Sequence, residues 1–228
     1  MTDYTFDDKP KNDNKLKHER ERTGQPLTWT QVFQLVLARP SVRSFETILN
    51  DPTVSRRRAS NWIAIACVIS MALTSLFLMV AFSMQDALRS AVIYTVCGAP
   101  FMIVFVAIGF YLMVRLLQLA TRILGARTPF LDLFYAMAAF NAPLMVINYG
   151  VSVAFGTGGG VGLVSFNLVS LFLSLYQLVL TGMSIKATTR FGWGRTVASM
   201  VVFAVLVLAI YALLIGLMVI LLVSPSIN

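Results

Sequence analysis

Charged residues are scarce in this sequence. They make up 12% of its 228 residues, about half the share found in typical globular proteins. Hydrophobic residues make up 57%, and so few charges cannot cover the surface of a water-soluble domain of this size. Most of the charges fall within residues 1–60, and residues 133–185 contain none. This distribution excludes an ordinary soluble fold and predicts a solvated N-terminal part followed by a lipid-embedded part.

Residues that carry catalysis or bind metals are also few. The two cysteines, Cys67 and Cys97, lie inside apolar runs, where packing is the expected role. The single histidine, His18, lies in a charged segment where we expect it to be solvated. No carboxylate falls in the middle of an apolar run, although proton-driven pumps usually hold one there. The sequence therefore predicts a protein that is not an enzyme, with no catalytic residue, no metal and no cofactor.

Five uncharged runs are each long enough to cross a ~30 Å hydrocarbon core as a helix. They cover residues 61–83, 91–114, 133–155, 161–185 and 196–223. Strands are excluded, because lipid leaves an open sheet edge unpaired and the runs lack the alternation of a barrel strand. The predicted fold class is all-α: a polytopic membrane protein whose bundle, residues 61–223, contains five transmembrane helices.

Two segments precede the bundle. Residues 1–26 mix acidic and basic side chains and contain almost nothing to bury, so we predict a disordered charged cytoplasmic tail. Residues 27–50 contain apolar side chains at helical spacing in two short sets: Trp29, Val32, Phe33, Val36 and Leu37, then Val42, Phe45, Ile48 and Leu49. Because neither set can span a membrane, the pattern predicts one or two amphipathic helices in the membrane interface. Packing against the bundle is an alternative that the sequence leaves open.

The positions of lysine and arginine predict the orientation of the bundle. With a cytoplasmic N-terminus, the five spans place all but one of the 18 basic residues in the cytoplasm, and only Arg89 outside. The opposite orientation inverts that ratio, against the positive-inside rule. We therefore predict a C-terminus on the opposite side, in the cell membrane of a prokaryote or an endomembrane of a eukaryote. No cleavable signal peptide is visible, so the first run is predicted to act as a signal-anchor.

The net charge of +8 is compatible with nucleic acid, anionic lipid or membrane orientation. The sequence has no recognised nucleic-acid-binding module, so no nucleic-acid partner is predicted. Arg56, Arg57 and Arg58 come directly before the first run, where each charge near an anionic surface contributes ~1 kcal/mol. These three arginines are the candidate contacts to anionic lipids on the cytoplasmic side, although their topological role alone explains them.

The most informative polar cluster is centred on Asn141 and Pro143, in the third run. A proline inside a helix frees a backbone carbonyl and should kink the helix, and Asn141 can bond to freed groups or to a neighbouring helix. Asn148, Asn167 and Gln177 place further amides at membrane depth. One interpretation is hydrogen bonding between helices, at ~0.6 kcal/mol per bond; the other is a polar cavity for a lipid headgroup or solute. We favour the first.

The layout resembles the Yip1 domain family. The resemblance is carried by an amphipathic approach, Phe33–Leu49, that ends in Asp51-Pro52 and is followed by five spans. It also includes the stretch FLDLFYAMAAFNAP, Phe130–Pro143, and the connection Met183–Arg195 with a helix restarting at Thr196. Together these features cover roughly residues 29–223. The resemblance implies an integral membrane protein with five spans.

Three functions fit these observations. The leading hypothesis is a non-enzymatic integral membrane protein that organises membrane or partner proteins, including further copies of itself, through its bundle and basic cytoplasmic region. The first alternative is a transporter or permease for a neutral or lipid-like substrate, suggested by Asn141 and Pro143. The second is an accessory subunit of a larger membrane complex.

Overall fold

The computed structural model describes residues 25–81, 98–156 and 159–223. The predicted tail lies outside these residues apart from Gln25 and Pro26, and so do the loop with Asp86 and Arg89 and Cys97. The described chain forms seven α-helices and no strand, which confirms the all-α fold class. The helices are α1 Trp29–Ala38, α2 Val42–Leu49, α3 Arg56–Ala81, α4 Ala99–Ile123, α5 Phe130–Gly156, α6 Gly159–Thr189 and α7 Trp193–Val223.

The two short helices begin at side chains that cap them. Thr28 accepts a bond from the Gln31 backbone N–H, and the Gln31 side chain accepts from the Thr28 backbone N–H at 2.8 Å. This reciprocal arrangement satisfies two of the free donors at the start of α1. At the start of α2, the Ser41 hydroxyl accepts from the Ser44 backbone N–H at 3.0 Å. Pro40 separates the helices, since it disfavours helical geometry in the residue before it.

Both short helices pack against the long ones. The side chains of Val32, Val36, Phe45, Ile48 and Leu49 are fully buried. The Phe45 ring meets the Phe140 ring of α5 edge-on, with centroids 6.1 Å apart. The apolar faces of the two short helices therefore pack against the bundle, which is the alternative that the sequence leaves open. A location of these helices in the membrane interface stays a prediction.

Within the described residues, five helices are long and apolar enough to cross a membrane, as predicted. Four of them coincide closely with the predicted runs, and α4 differs at its end. The predicted second span ends at residue 114, whereas α4 continues through Arg115 to Ile123. The helix continues past the charged residue Arg115 because neighbouring side chains accommodate the charge. The Arg115 guanidinium lies 4.0 Å from the Phe130 ring centre and donates to the Tyr111 hydroxyl.

Helix α5 forms the centre of the bundle. Its most extensive interfaces are with α3 and α6, and it also contacts α1, α2 and α4. Neighbouring helices can approach α5 closely because its N-terminal half is rich in small buried residues: Ala136, Ala138, Ala139 and Ala142. Helix α7 lies at the edge, where Leu208 and Leu213 are 67% and 74% exposed. Such exposure of large apolar side chains suits contact with lipid tails.

Helices α4 and α5 are joined by a short turn. The Ala126 N–H bonds to the Thr121 carbonyl at 3.0 Å, and the Gly125 N–H bonds to the Arg122 carbonyl at 2.9 Å. Gly125 has a φ of 90°, a conformation that glycine adopts without steric cost. The turn satisfies carbonyls at the end of α4. It also fixes Thr128, whose carbonyl accepts a hydrogen bond from the Gln118 side chain of α4.

Candidate functional site

A cavity of about 230 Å³ lies between α3, α4, α5 and α6. Its wall is part apolar and part polar. The polar side chains are Asn141, Asn148, Ser174 and Gln177, and the apolar ones are Ile63, Val106, Phe110, Leu144, Met145 and Leu173. The volume exceeds the ~30 Å³ share of one water molecule several times over, so several waters or one small polar molecule fit inside it.

An amide pair connects two helices at this cavity. The Gln177 Nε2 of α6 donates to the Asn141 Oδ1 of α5 at 2.8 Å, and the Asn141 Nδ2 donates to the Met137 carbonyl at 2.8 Å. Both amide atoms of Asn141 are thus engaged. Asn141 links α5 to α6 while it also lines the cavity, and binding of a lipid headgroup or solute there stays a prediction.

The other members of the predicted polar cluster separate. Asn148 lines the same cavity about two turns further along α5. Asn167 is exposed on α6 and is not part of the cavity wall. Pro143 lines a different, almost wholly apolar pocket together with Trp29, Phe33 and Trp62. Helix α5 continues through Pro143 without a break, and a kink at this residue stays a prediction.

Ser174 is a polar residue of the cavity that sequence reasoning missed. Its hydroxyl donates to the Ser170 carbonyl at 2.8 Å. It precedes Gln177 by three positions, so the two side chains share a helix face. That spacing was the available signal, although isolated serines are frequent in membrane helices and carry little information alone.

A second polar junction forms around Asp51, between the short helices and the bundle. The Asp51 carboxylate is fully buried, and its Oδ2 accepts from the Arg58 Nη1 at 2.9 Å. Its Oδ1 accepts from the backbone N–H and the hydroxyl of Thr53, at 2.8 and 2.7 Å. Arg58 also donates to the Leu27 carbonyl, just before α1. One ion pair therefore joins the segment before α1, the end of α2 and the first turn of α3.

The three predicted lipid-contact arginines have different surroundings. The Arg58 side chain is 12% exposed and lies 5.2 Å from the Trp62 ring centre, in addition to its pair with Asp51. Arg57 is exposed. Arg56 is also exposed, with its guanidinium 5.0 Å from the Tyr111 ring centre of α4. The geometry thus favours an internal role for Arg58, whereas Arg56 and Arg57 face outward.

From Arg56 onward, the basic side chains of the described residues lie together at one end of the bundle. This end, called the basic end below, comprises the starts of α3, α5 and α7 and the ends of α4 and α6. It holds Arg56, Arg57, Arg58, Arg115, Arg122, Arg127, Lys186, Arg190 and Arg195. Lys186 and Trp193 connect α6 to α7 there, with the ammonium 4.2 Å from the indole ring centre. This segregation of charge is typical of one membrane-water boundary.

In the part of the chain that the structure describes, five apolar helices with segregated charge define a multi-pass integral membrane protein. The family model of the Yip1 domain matches residues 35–220. The chain therefore belongs to the Yip1 domain family, as its layout suggested. No curated protein and no solved structure matches the chain.

Proposed function

We propose that this Yip1-domain protein is a non-enzymatic organiser of membrane or partner proteins. Its bundle would anchor it, and its basic end with the attached short helices would form the contact surface. The partners would be other membrane proteins or further copies of the chain.

The supporting observation is the way the short helices are fixed to the bundle. The buried Asp51–Arg58 pair holds one end of this unit. At the other side, the Tyr176 hydroxyl of α6 donates to the Leu37 carbonyl of α1 at 2.6 Å. Because two polar links and an apolar interface restrain α1 and α2, their outer faces form a pre-organised surface. A pre-organised surface loses less entropy when a partner binds.

We also propose that the basic end is cytoplasmic. Lysine and arginine concentrate in cytoplasmic loops, and the basic residues of α3 to α7 within the described chain lie at this one end. The N-terminal segment, which precedes α1, would then be cytoplasmic too. An odd number of spans carries the C-terminus to the opposite side.

Affinity purification of the full chain in a mild detergent tests the organising role. We expect defined co-purifying membrane proteins or a discrete homo-oligomer in size-exclusion chromatography with light scattering. Asp51→Ala should reduce the recovered partner several-fold, because it frees the short helices. Ser152→Ala, on α5 away from the short helices, is the matched control and should leave recovery unchanged. A lone monomer recovered at high yield contradicts the proposal.

Transport of a neutral or lipid-like substrate is the second candidate, and the cavity at Asn141 and Gln177 is the observation that favours it. Liposomes reconstituted with the protein would be assayed for solute flux and lipid scrambling. Flux that is lost in Asn141→Leu and kept in Asn167→Leu would support a transport pathway. Asn167 is the matched control, because it is an exposed amide outside the cavity. Absence of flux in both the native chain and the variants removes this candidate.

An accessory-subunit role is the third candidate, favoured by the exposed apolar face of α7. Leu214 and Leu217, for example, are 57% and 55% exposed. In that case the purification above would recover a fixed stoichiometry of a larger complex. If only lipid covers this face, the purification would recover the chain as a monomer or homo-oligomer, which would contradict the accessory-subunit role.

A further inference from the structure

Two arginines from different helices meet over the same pair of aromatic rings at the basic end. The Arg56 guanidinium of α3 lies 5.0 Å from the Tyr111 ring centre and 5.9 Å from that of Phe130. The Arg115 guanidinium of α4 lies 5.2 and 4.0 Å from the same two centres. Three helices therefore bring two positive charges to one small surface, which we call the Arg56–Arg115 site.

Arg115 is held in place by groups that face it. Its Nε and Nη2 donate to the Tyr111 hydroxyl at 2.9 and 2.7 Å, and its Nη1 contacts the Gln118 Oε1 at 3.3 Å. Gln118 is 3% exposed, and its Nε2 donates to the Thr128 carbonyl at 3.0 Å. The guanidinium is thus oriented by a buried amide that is itself anchored to the turn before α5.

The site retains donors for a ligand. An arginine has five N–H donors, and the bonds described above engage three of those of Arg115, with two remaining. Arg56 is exposed beside it. Two guanidiniums that approach one surface repel each other, and an anion with several oxygen acceptors relieves that repulsion. A phosphate group has this chemistry, and arginine binds it in bidentate geometry.

An apolar track continues from the site along α4. Leu112, Ile108, Phe105 and Phe101 recur at helical spacing from Arg115 and are 54%, 54%, 74% and 78% exposed. The distance from Phe101 to Arg115 is about 20 Å at 1.5 Å per residue. The track is therefore long enough to contact an acyl chain across one leaflet, which is about 15 Å of the hydrocarbon core. A soluble phosphate would not contact these apolar side chains, whereas the acyl chain of a phospholipid would.

We propose that the Arg56–Arg115 site binds the phosphate of an anionic phospholipid in the leaflet at the basic end. Arg56 and Arg115 contact the phosphate, Tyr111 and Gln118 position Arg115, and the exposed face of α4 receives an acyl chain. Arg57 and Arg58 lie outside the site. The inference goes beyond the organising role proposed above, because it requires only the bundle in a bilayer and no protein partner.

Native mass spectrometry of the purified full chain in detergent tests the site. Phosphatidylglycerol and phosphatidylcholine with identical acyl chains are titrated separately. We expect preferential retention of phosphatidylglycerol, weakened about tenfold by Arg56→Ala and by Arg115→Ala. Each substitution removes a charge-assisted contact of bidentate geometry to the phosphate oxygens. Arg57→Ala, which removes the neighbouring charge, should change binding by less than about twofold.

Two further variants separate binding from folding. Tyr111→Phe keeps the ring and removes the bonds to Arg115, so binding should weaken while the circular dichroism spectrum and elution volume stay native. Arg115→Lys keeps the charge but not the guanidinium fork, and should also weaken binding. Equal losses in Arg57→Ala and Arg56→Ala, or equal retention of both lipids, would overturn the proposal. Displacement of phosphatidylglycerol by an equimolar amount of inorganic phosphate would overturn the assignment to lipid, because it would show that the acyl chain adds nothing to binding.

Discussion

Arg58 and Asp51 form an ion pair in which the carboxylate is completely enclosed by protein, with 2.9 Å between Nη1 and Oδ2. Burial of a charge is costly unless a partner and hydrogen bonds compensate it. Here Thr53 supplies two bonds to the other carboxylate oxygen, and the Leu27 N–H approaches Oδ2 at 3.4 Å. One acidic residue therefore organises the polar contacts between the segment before α1, the end of α2 and the start of α3.

Replacement of Asp51 by alanine should destabilise the protein strongly. The change leaves the Arg58 guanidinium, 12% exposed, without its counter-charge, and breaking a buried pair costs about 3–5 kcal/mol. We expect a decrease near the lower end of that range in the unfolding free energy measured by reversible denaturation in mixed micelles. Arg57→Ala, which removes an exposed neighbour, should change it by less than about 0.5 kcal/mol. Equal effects of the two substitutions would show that the pair does not stabilise the fold.

A double-mutant cycle tests whether the pair acts as a unit. Asp51→Ala and Arg58→Ala each remove one partner, and the double variant removes both. Because the double variant leaves no uncompensated charge at this pair, its loss of stability should be clearly less than the sum of the single losses. Additive losses would contradict a direct interaction between the two side chains.

The junction also marks what the sequence could and could not predict. The five spans can be predicted from run length and from the placement of arginine and lysine. The bilayer constrains both properties within each stretch of neighbouring residues, so no long-range contact has to be known. In the sequence, Asp51 stands out only as part of the Asp-Pro pair that ends the amphipathic segment. Its contacts with Leu27, 24 residues earlier, and with Arg58 depend on how the short helices fold back onto the bundle. Such long-range geometry leaves no periodic signal in the sequence.

The polar cluster shows the same limit. Asn141 and Gln177 were singled out because amides are costly in hydrocarbon, and the structure pairs them across 36 positions. Asn167 met the same criterion and is exposed on α6, outside the cavity. The sequence predicts which amides reach membrane depth, but the rotation of each helix about its axis decides which of them meet. That rotation is set by packing against neighbours.

Removal of the Tyr176 hydroxyl should loosen α1 without unfolding the bundle. Tyr176→Phe deletes the 2.6 Å bond to the Leu37 carbonyl and leaves that carbonyl unsatisfied, at a cost of about 1–2 kcal/mol. We expect faster proteolysis or hydrogen exchange within residues 29–38 and unchanged exchange in α5. Tyr211→Phe is the matched control, since Tyr211 is 62% exposed on α7. Unchanged exchange in α1 would indicate that apolar packing alone holds it.

The amide pair should contribute little to stability. Hydrogen bonds between membrane helices average ~0.6 kcal/mol in double-mutant cycles, so the coupling between Asn141→Leu and Gln177→Leu should fall near that value. Asn167→Leu should show no coupling with either substitution, because it lies outside the cavity. A coupling of several kcal/mol would mean that the pair is a principal determinant of how α5 and α6 associate.

The orientation predicts that the two ends of the chain lie on opposite sides of the membrane. The cause is electrostatic, because the described basic residues of the bundle gather at one end and transfer of such a cluster across a bilayer is opposed during insertion. Reporter domains fused to residues 1 and 228, one active only in the cytoplasm and one only outside it, measure the two locations. Active cytoplasmic reporter at the N-terminus and active external reporter at the C-terminus are the expected result. Both termini in one compartment would require an even number of crossings, which would leave one of the five apolar helices out of the bilayer and expose its apolar surface to water.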